Sequence, residues 1–244
     1  MSTKSNNTKL LIMLLNRYHI KGNEKKELVN IIKPIYLHPE FQKRFESSFP
    51  HHGSVTVAEH LIEDTIKTYL LSKIYIMKKK NKNYDIKSAI YIAIFHDLYT
   101  VPWQNNSESK VVKFQNVHGF RHPVEAVINA YNWFPQLFND DNYVKIIDGI
   151  VHHMYPLPVI SINSDLNTRE LKNYELYRRL PNKIKNALIM STKRNCIFGF
   201  SLAKSKYVEG RIMSRADKYV SIKQLKSIYD WIALLTGKNK RLTK

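Results

Sequence analysis

Apolar positions recur every three to four residues along most of this chain, the period of an α-helix with one buried face. The clearest run covers 55–80, where Ala58, Leu61, Ile62, Thr65, Ile66, Tyr69, Leu70 and Ile74 share one face of a long helix. Lys78, Lys79 and Lys80 end it and suit the negative end of a helix dipole. Upstream, residues 8–18 read as a short helix. A second runs from a cap at Asn23 to about Lys33, where Pro34 should end or kink it. Pro39 starts another through about Ser48, and His51-His52-Gly53-Ser54 reads as a loop and helix cap.

Downstream, Asp85 is placed to cap the apolar run from Ala89 to Phe95 that delivers His96 and Asp97. Polar loop material at 100–121 leads to Pro123, expected in the first turn of the next helix. Residues 140–155 carry Val144, Ile147, Ile150 and Val151 on a helix ended by Pro156 and Pro158. Periodicity is weak from 159 to 210, where ten Lys/Arg stand against four Asp/Glu. A helix at about 183–190 is legible there, and 195–200 reads as a strand or plug. The helical pattern returns from Val208 through Asp217 to Leu235, before a basic tail at 238–244. The pattern predicts an all-α bundle. A helical extension spans 1–49, and a core spans 50–244 with a basic insertion of mixed or irregular structure at about 159–207.

Composition narrows this picture. A length of 244 residues allows one large domain, and a hydrophobic fraction of 43% supports a sizeable core. Seven glycines disfavour a turn-rich sheet protein. The one cysteine, Cys196, excludes an internal disulfide and a thiolate metal cluster. The early apolar run from Leu10 to Leu15 is too short for a signal sequence or a membrane span, so a cytoplasmic protein without a membrane partner is expected. The net charge of +19 favours phosphorylated substrates or nucleic acid through long-range attraction. The lysines are scattered, however, as they are when lysine simply fills solvated faces.

The chemistry-bearing residues fall in an order: His60, His96-Asp97, His122, His152-His153, Asp217. An imidazole and a carboxylate at the end of an apolar run are poor core material unless a partner satisfies both. The groups lie far enough apart to fall on different helices, and a helical bundle can aim such side chains at one point. Four imidazoles and two carboxylates suit divalent iron, manganese or zinc. Two ions bridged by one aspartate would make a hydrolytic centre.

His60 in Ala58-Glu59-His60-Leu61, then His96-Asp97, then Asp217 in Arg215-Ala216-Asp217-Lys218-Tyr219 form an H…HD…D pattern. Gly119-Phe120-Arg121-His122-Pro123 and His152-His153-Met154 stand where two added histidine motifs would be. With these, the chain resembles the HD-domain superfamily of metal-dependent phosphohydrolases in its binuclear form, which includes the HD-GYP phosphodiesterases. The resemblance covers 50–158 and 208–225. It implies a helical core with one or two metals and hydrolysis of a nucleotide or other small phosphoester.

By that resemblance His60, His96 and Asp217 bind one metal, His122 and His153 the other, and Asp97 bridges. His153 is preferred to His152 because the Met-x-Pro after it resembles the His-Met-Trp-Pro of some bacterial HD proteins. His152, His52 and Thr100 are then candidate neighbours of the metals or of the substrate. Thr100 stands where the HD-GYP pattern has a lysine, and no Gly-Tyr-Pro follows, so cyclic-dinucleotide specificity is not carried over. Arg121, or a lysine of the middle segment, is a candidate for the missing positive charge, and Asp97 and Arg121 are the candidate catalytic groups. The same residues also resemble the HD-type diiron oxygenases, such as myo-inositol oxygenase. The charge leaves a nucleic-acid binder on the same scaffold as a third reading.

Other residues carry weaker expectations. His51 and His118 are loop histidines with a contact to the site as the alternative, and His19 and His38 read as surface groups. Trp103 reads as a core anchor or a base-stacking platform. Tyr219 is expected in the core, and the basic insertion is a lid over an anionic substrate or a solvated excursion.

Overall fold

Helix dominates the computed structural model, which describes residues 2–51, 55–79, 83–99, 118–162 and 171–224. His52, Thr100, Trp103, the end of the last expected helix and the basic tail lie outside the described residues. In chain order the helices are α1 (Ser2–Arg17), α2 (Gly22–Tyr36), α3 (Pro39–Gln42), α4 (Val57–Lys79) and α5 (Ile86–Phe95). They continue as α6 (His118–Trp133), α7 (Tyr143–Val151), α8 (Tyr174–Arg178), α9 (Asn182–Thr192) and α10 (Val208–Gln224). Short 3-10 turns follow α3 and α6.

The periodic face of α4 is buried as expected through Tyr69, each sealed Leu or Ile contributing about 1.5–3 kcal/mol. The Ser72 hydroxyl meets that of Tyr84 at 2.6 Å. Leu70 is only half-buried and Ile74 is exposed, against expectation. Asp85 caps α5 by accepting from the Ser88 amide at 3.1 Å. His38 caps α3 by accepting from the Glu40 amide and packs its ring on Phe134, so it is more than a surface group.

Two prolines do not act as the pattern suggested. α2 runs past Pro34 to Tyr36, because Ile35 and Tyr36 are buried and reward the extra residues. α6 starts at His118, so Pro123 sits inside the helix instead of its first turn. The N–H it lacks would have faced the carbonyl of Gly119, in the first turn. α7 is shorter than the expected 140–155, and Val144 is exposed on it.

The 159–207 segment is not wholly helical. β1 (Val159–Ile160), β2 (Cys196–Ile197) and β3 (Phe200–Ser201) form an antiparallel sheet in the order β1-β3-β2. Its hairpin turns at Phe198 and Gly199, both at positive φ. Val159, Ile160, Leu171, Leu180, Ile184 and Leu188 join the same hydrophobic core as α4, α5 and α7. The described part of this segment is thus built onto the bundle.

α10 packs against α4, α5 and α7, and α7 also packs against α5, α6 and α9. α7 and α10 meet at two glycines. A Cβ on Gly210 would lie 2.7 Å from the Gly149 Cα, nearer than atoms can pack. That contact sets α10, which carries Asp217, against the end of α7, just before His153. Among the described residues no helix is long and apolar enough to cross a membrane.

Candidate metal centre

The apolar run of α5 stops at His96, which caps the helix, and Asp97 follows in the turn. Two long-range hydrogen bonds hold that turn open. Asn129 Nδ2 donates to the Leu98 carbonyl at 2.7 Å, and Arg44 Nη2 donates to the Tyr99 carbonyl at 2.7 Å. Arg44 is itself buried between the rings of Phe49 and Trp133. The N-terminal segment thereby fixes the backbone just beyond Asp97.

Around this turn the structure brings together His60 from α4, His96 and Asp97, His122 from α6, His153 after α7, and Asp217 from α10. The imidazoles are oriented by their own helices. His96 Nδ1 meets the Ala93 carbonyl at 2.7 Å and His153 Nδ1 the Ile150 carbonyl at 2.7 Å, both at helix ends where carbonyls lack helical partners. His122 Nδ1 meets the His118 carbonyl at 3.2 Å. His60 Nδ1 meets Gln224 Oε1 at 3.0 Å, and Gln224 Nε2 donates to Glu63 Oε2, which fixes the amide's orientation.

A carbonyl only accepts, so each Nδ1 carries the proton and each neutral Nε2 presents a lone pair. These lone pairs face one another. His60 and His96 Nε2 are 3.3 Å apart, and His122 and His153 Nε2 are 3.1 Å apart. No proton is left to join either pair while the rings are neutral. Such separations suit nitrogens bound about 2.0–2.1 Å from a shared cation.

Asp97 lies between the two pairs. Its Oδ1 is 3.1 Å from His122 Nε2 and 3.6 Å from His153 Nε2. Its Oδ2 is 3.6 Å from His96 Nε2 and 3.9 Å from His60 Nε2. Asp217 Oδ1 lies on the second side, 3.5 Å from His60 and 3.9 Å from His96. Asp64, one turn after His60 on α4, adds an oxygen 3.6 Å from His96 Nε2. It is wholly buried, and neither of its oxygens has a hydrogen-bond partner among the described residues. A buried carboxyl left so is costly unless a cation satisfies it.

Charge in the cluster is strongly coupled. Burial lowers His96 and takes His153 down to about 3, the latter helped by repulsion from His96 and His122. Burial also opposes the charged forms of His60 and His122, but Asp217 and Asp97 outweigh it and raise both. Burial favours neutral Asp97, yet His96 and His122 hold it well below the usual carboxylate range. Asp217 is likewise held down, by His60 and His96. Asp64 goes the other way, raised well above that range by burial and then by Asp217 and Asp97.

Other expected residues are placed as follows. His152 turns away from the cluster, its Nε2 3.2 Å from the Ser191 carbonyl and 3.9 Å from Asp148. Arg121 is buried beside His122, but adjacent helical positions do not share a face. His51 joins the cluster, its Nε2 2.9 Å from Asp97 Oδ2 and its ring stacked on His60 at 3.7 Å. His118 is a helical residue stacked on His122. Tyr219 is half exposed beneath the Lys67 ammonium, not in the core.

Sequence reasoning did not single out Asp64, Gln224, Glu63 or Arg44. For Asp64 the signal was present, since an acid four residues after a histidine shares its helical face. Comparison of the chain with protein-family models, with curated proteins and with solved structures gives no match. Geometry therefore carries the assignment. This mostly helical protein holds a buried group of histidines and aspartates able to bind metal, compatible with the HD-like fold that its motifs imply.

Proposed function

We propose that the chain is a metal-dependent phosphohydrolase with a binuclear centre, acting on a nucleotide or another small phosphoester. The observation that carries this reading is the division around Asp97, whose two oxygens each face a separate pair of imidazole lone pairs. In this reading His60, His96 and Asp217, with Asp64 beside them, hold one iron, manganese or zinc ion. His122 and His153 hold the other, and Asp97 is shared. Divalent ions held so supply, when bound, an acidified water and neutralisation of phosphate oxygens.

The protein's own part is orientation. Backbone carbonyls turn the protons of three imidazoles outward, and the Gln224–Glu63 pair does the same for His60. His51 bonds Asp97 Oδ2, and Ser221 donates to Asp217 Oδ1 at 3.1 Å, fixing both carboxylates. Side chains of Asp97, Asp217 and His51 retain about a tenth of their exposure, the least sealed of the group, so substrate would approach there.

The test is elemental analysis of the purified protein, joined to phosphate release from p-nitrophenyl phosphate, its diester and a nucleotide panel. The expected result is two metals per chain, activity lost to a chelator, and activity restored by one of the three ions. Metal with oxygen consumption and no phosphate release would replace the hydrolase by an oxygenase. Absence of metal after reconstitution would overturn the centre itself.

A further inference from the structure

His152 and His153 are adjacent yet serve opposite sides of the last turn of the α7 segment. His153 faces the metal cluster, and His152 lines a separate cavity of about 180 Å³. The wall of that cavity is basic: Lys204, Arg211, Arg215 and Lys218, with Ser205 and Ser214 between them. Positions 211, 214, 215 and 218 follow the i, i+3, i+4, i+7 spacing, so α10 gives this cavity one continuous face. Among the described residues no carboxylate pairs with any of the four cations.

Two of the cations are also held in place. Arg211 donates twice through Nη1, to the Ser205 and Lys206 carbonyls, so its Nε and Nη2 keep their donors. Lys218 Nζ donates to Ser214 Oγ, which in turn donates to the His153 carbonyl at 2.6 Å. The acid behind the wall, Asp148, is already matched by Arg194 at 2.8 Å, the Lys206 amide at 2.8 Å and Ser205 Oγ at 2.8 Å. It does not cancel the field in front.

We propose that this cavity is a phosphate-binding site, separate from the metal cluster, for a phosphoryl group that is not cleaved. Four cations with no carboxylate partner among the described residues, around a cavity of this size, fit a compact, doubly charged tetrahedral oxyanion, with Arg211 offering two donors at once. Ser214 links the wall to the backbone of His153, placing the site beside the centre. The group is either a second phosphate of the substrate or a free phosphate acting as effector. The first source rests on the hydrolase reading, whereas the anion site itself does not.

The test titrates inorganic phosphate into the purified protein by calorimetry. Wild type is compared with the double variant K204Q/K218Q and with K78Q/K79Q, which removes equal charge at the exposed end of α4. Saturable binding is expected, weakened about tenfold or more in K204Q/K218Q and less than twofold in K78Q/K79Q, with metal content equal in all three. Equal weakening in both variants would reduce the site to bulk charge and overturn it. Binding abolished by Asp97→Ala yet intact in K204Q/K218Q would place phosphate on the metals and also overturn it. Should the double variant fold poorly, Arg215→Gln at an exposed position replaces it, with about threefold weakening expected and no weakening counting against the site.

Kinetics separate the sources. A second substrate phosphate predicts that K204Q/K218Q raises the KM of a nucleoside diphosphate far more than that of p-nitrophenyl phosphate. An effector predicts that added phosphate changes turnover of both. If no phosphoester is hydrolysed, the hydrolase reading fails while the binding result still stands or falls alone.

Discussion

Two buried carboxylates flank the His152-His153 pair, and their surroundings are opposites. Asp148 is ringed by donors with committed protons: Ser205 Oγ, the Lys206 amide and Arg194 Nη2, each at 2.8 Å, with Ser191 Oγ at 3.4 Å. Asp97 is ringed by imidazoles, and those of His96, His122 and His153 spend their Nδ1 protons on backbone carbonyls. The first carboxylate is complete as the chain folds. The second lacks positive charge until its histidines take up protons or a cation arrives. Burial alone therefore does not mark a functional carboxylate; the direction in which its neighbours' protons point does.

Substituting each in turn tests this most severely. Asp97→Asn is expected to lose nearly all bound metal by elemental analysis. Asp148→Asn should keep its metal and lose about 3 kcal/mol of stability, because Arg194 and two amide or hydroxyl donors lose their charged acceptor. For a chain of this size that is a drop in Tm of roughly 6–12 °C. Metal retained in Asp97→Asn, or lost in Asp148→Asn, would break the contrast.

The histidine pair repeats it at one remove. His153→Ala should lower metal content by about one ion per chain, whereas His152→Ala should leave it unchanged and cost about 1 kcal/mol in urea unfolding. A smaller effect is expected from Gln224→Met, which removes the acceptor that orients His60. Competition with a chelator should then show metal affinity about tenfold weaker, with stoichiometry intact. Unchanged affinity would mean that His60 needs no such support.

How much of this was legible depended on the range of each signal. The buried face of α4, the Asp85 cap and the ordered histidines and aspartates are local or are fixed by residue chemistry. All of them could be read directly. Gln224 and Glu63 stand some 160 positions apart, and Tyr18 and Lys223 complete their network, a meeting that only the fold creates. The three strands are two residues each, too short to show alternation. Pro34 misled because burial of Ile35 and Tyr36 overrode a local preference, and Pro123 because the N–H it lacks faces only the first turn of a helix that starts earlier than expected. Asp64 was passed over for a different reason: an acid on a long helix is ordinarily solvated, and its place on the face of His60 was the one local sign that this one is not.

Asp64 also supplies the subtlest test of the contrast. Burial and the charges of Asp217 and Asp97 push its carboxyl toward the neutral form, and among the described residues it has no donor to compensate. In metal-free protein it is a cost of folding, the reverse of Asp148. Asp64→Asn keeps the shape and removes the ionisable group. Metal-free stability in urea should therefore hold or rise by about 1 kcal/mol at neutral pH, because folding no longer has to protonate a carboxylate there. Binding of metal to wild type, in contrast, uses this oxygen near His96, so the stabilisation gained on adding metal should shrink in the variant by a similar amount. Opposite signs in the two states would mark a carboxylate kept for a cation. A loss of 2 kcal/mol or more in the metal-free protein would instead place Asp64 with Asp148, among the groups that hold the fold.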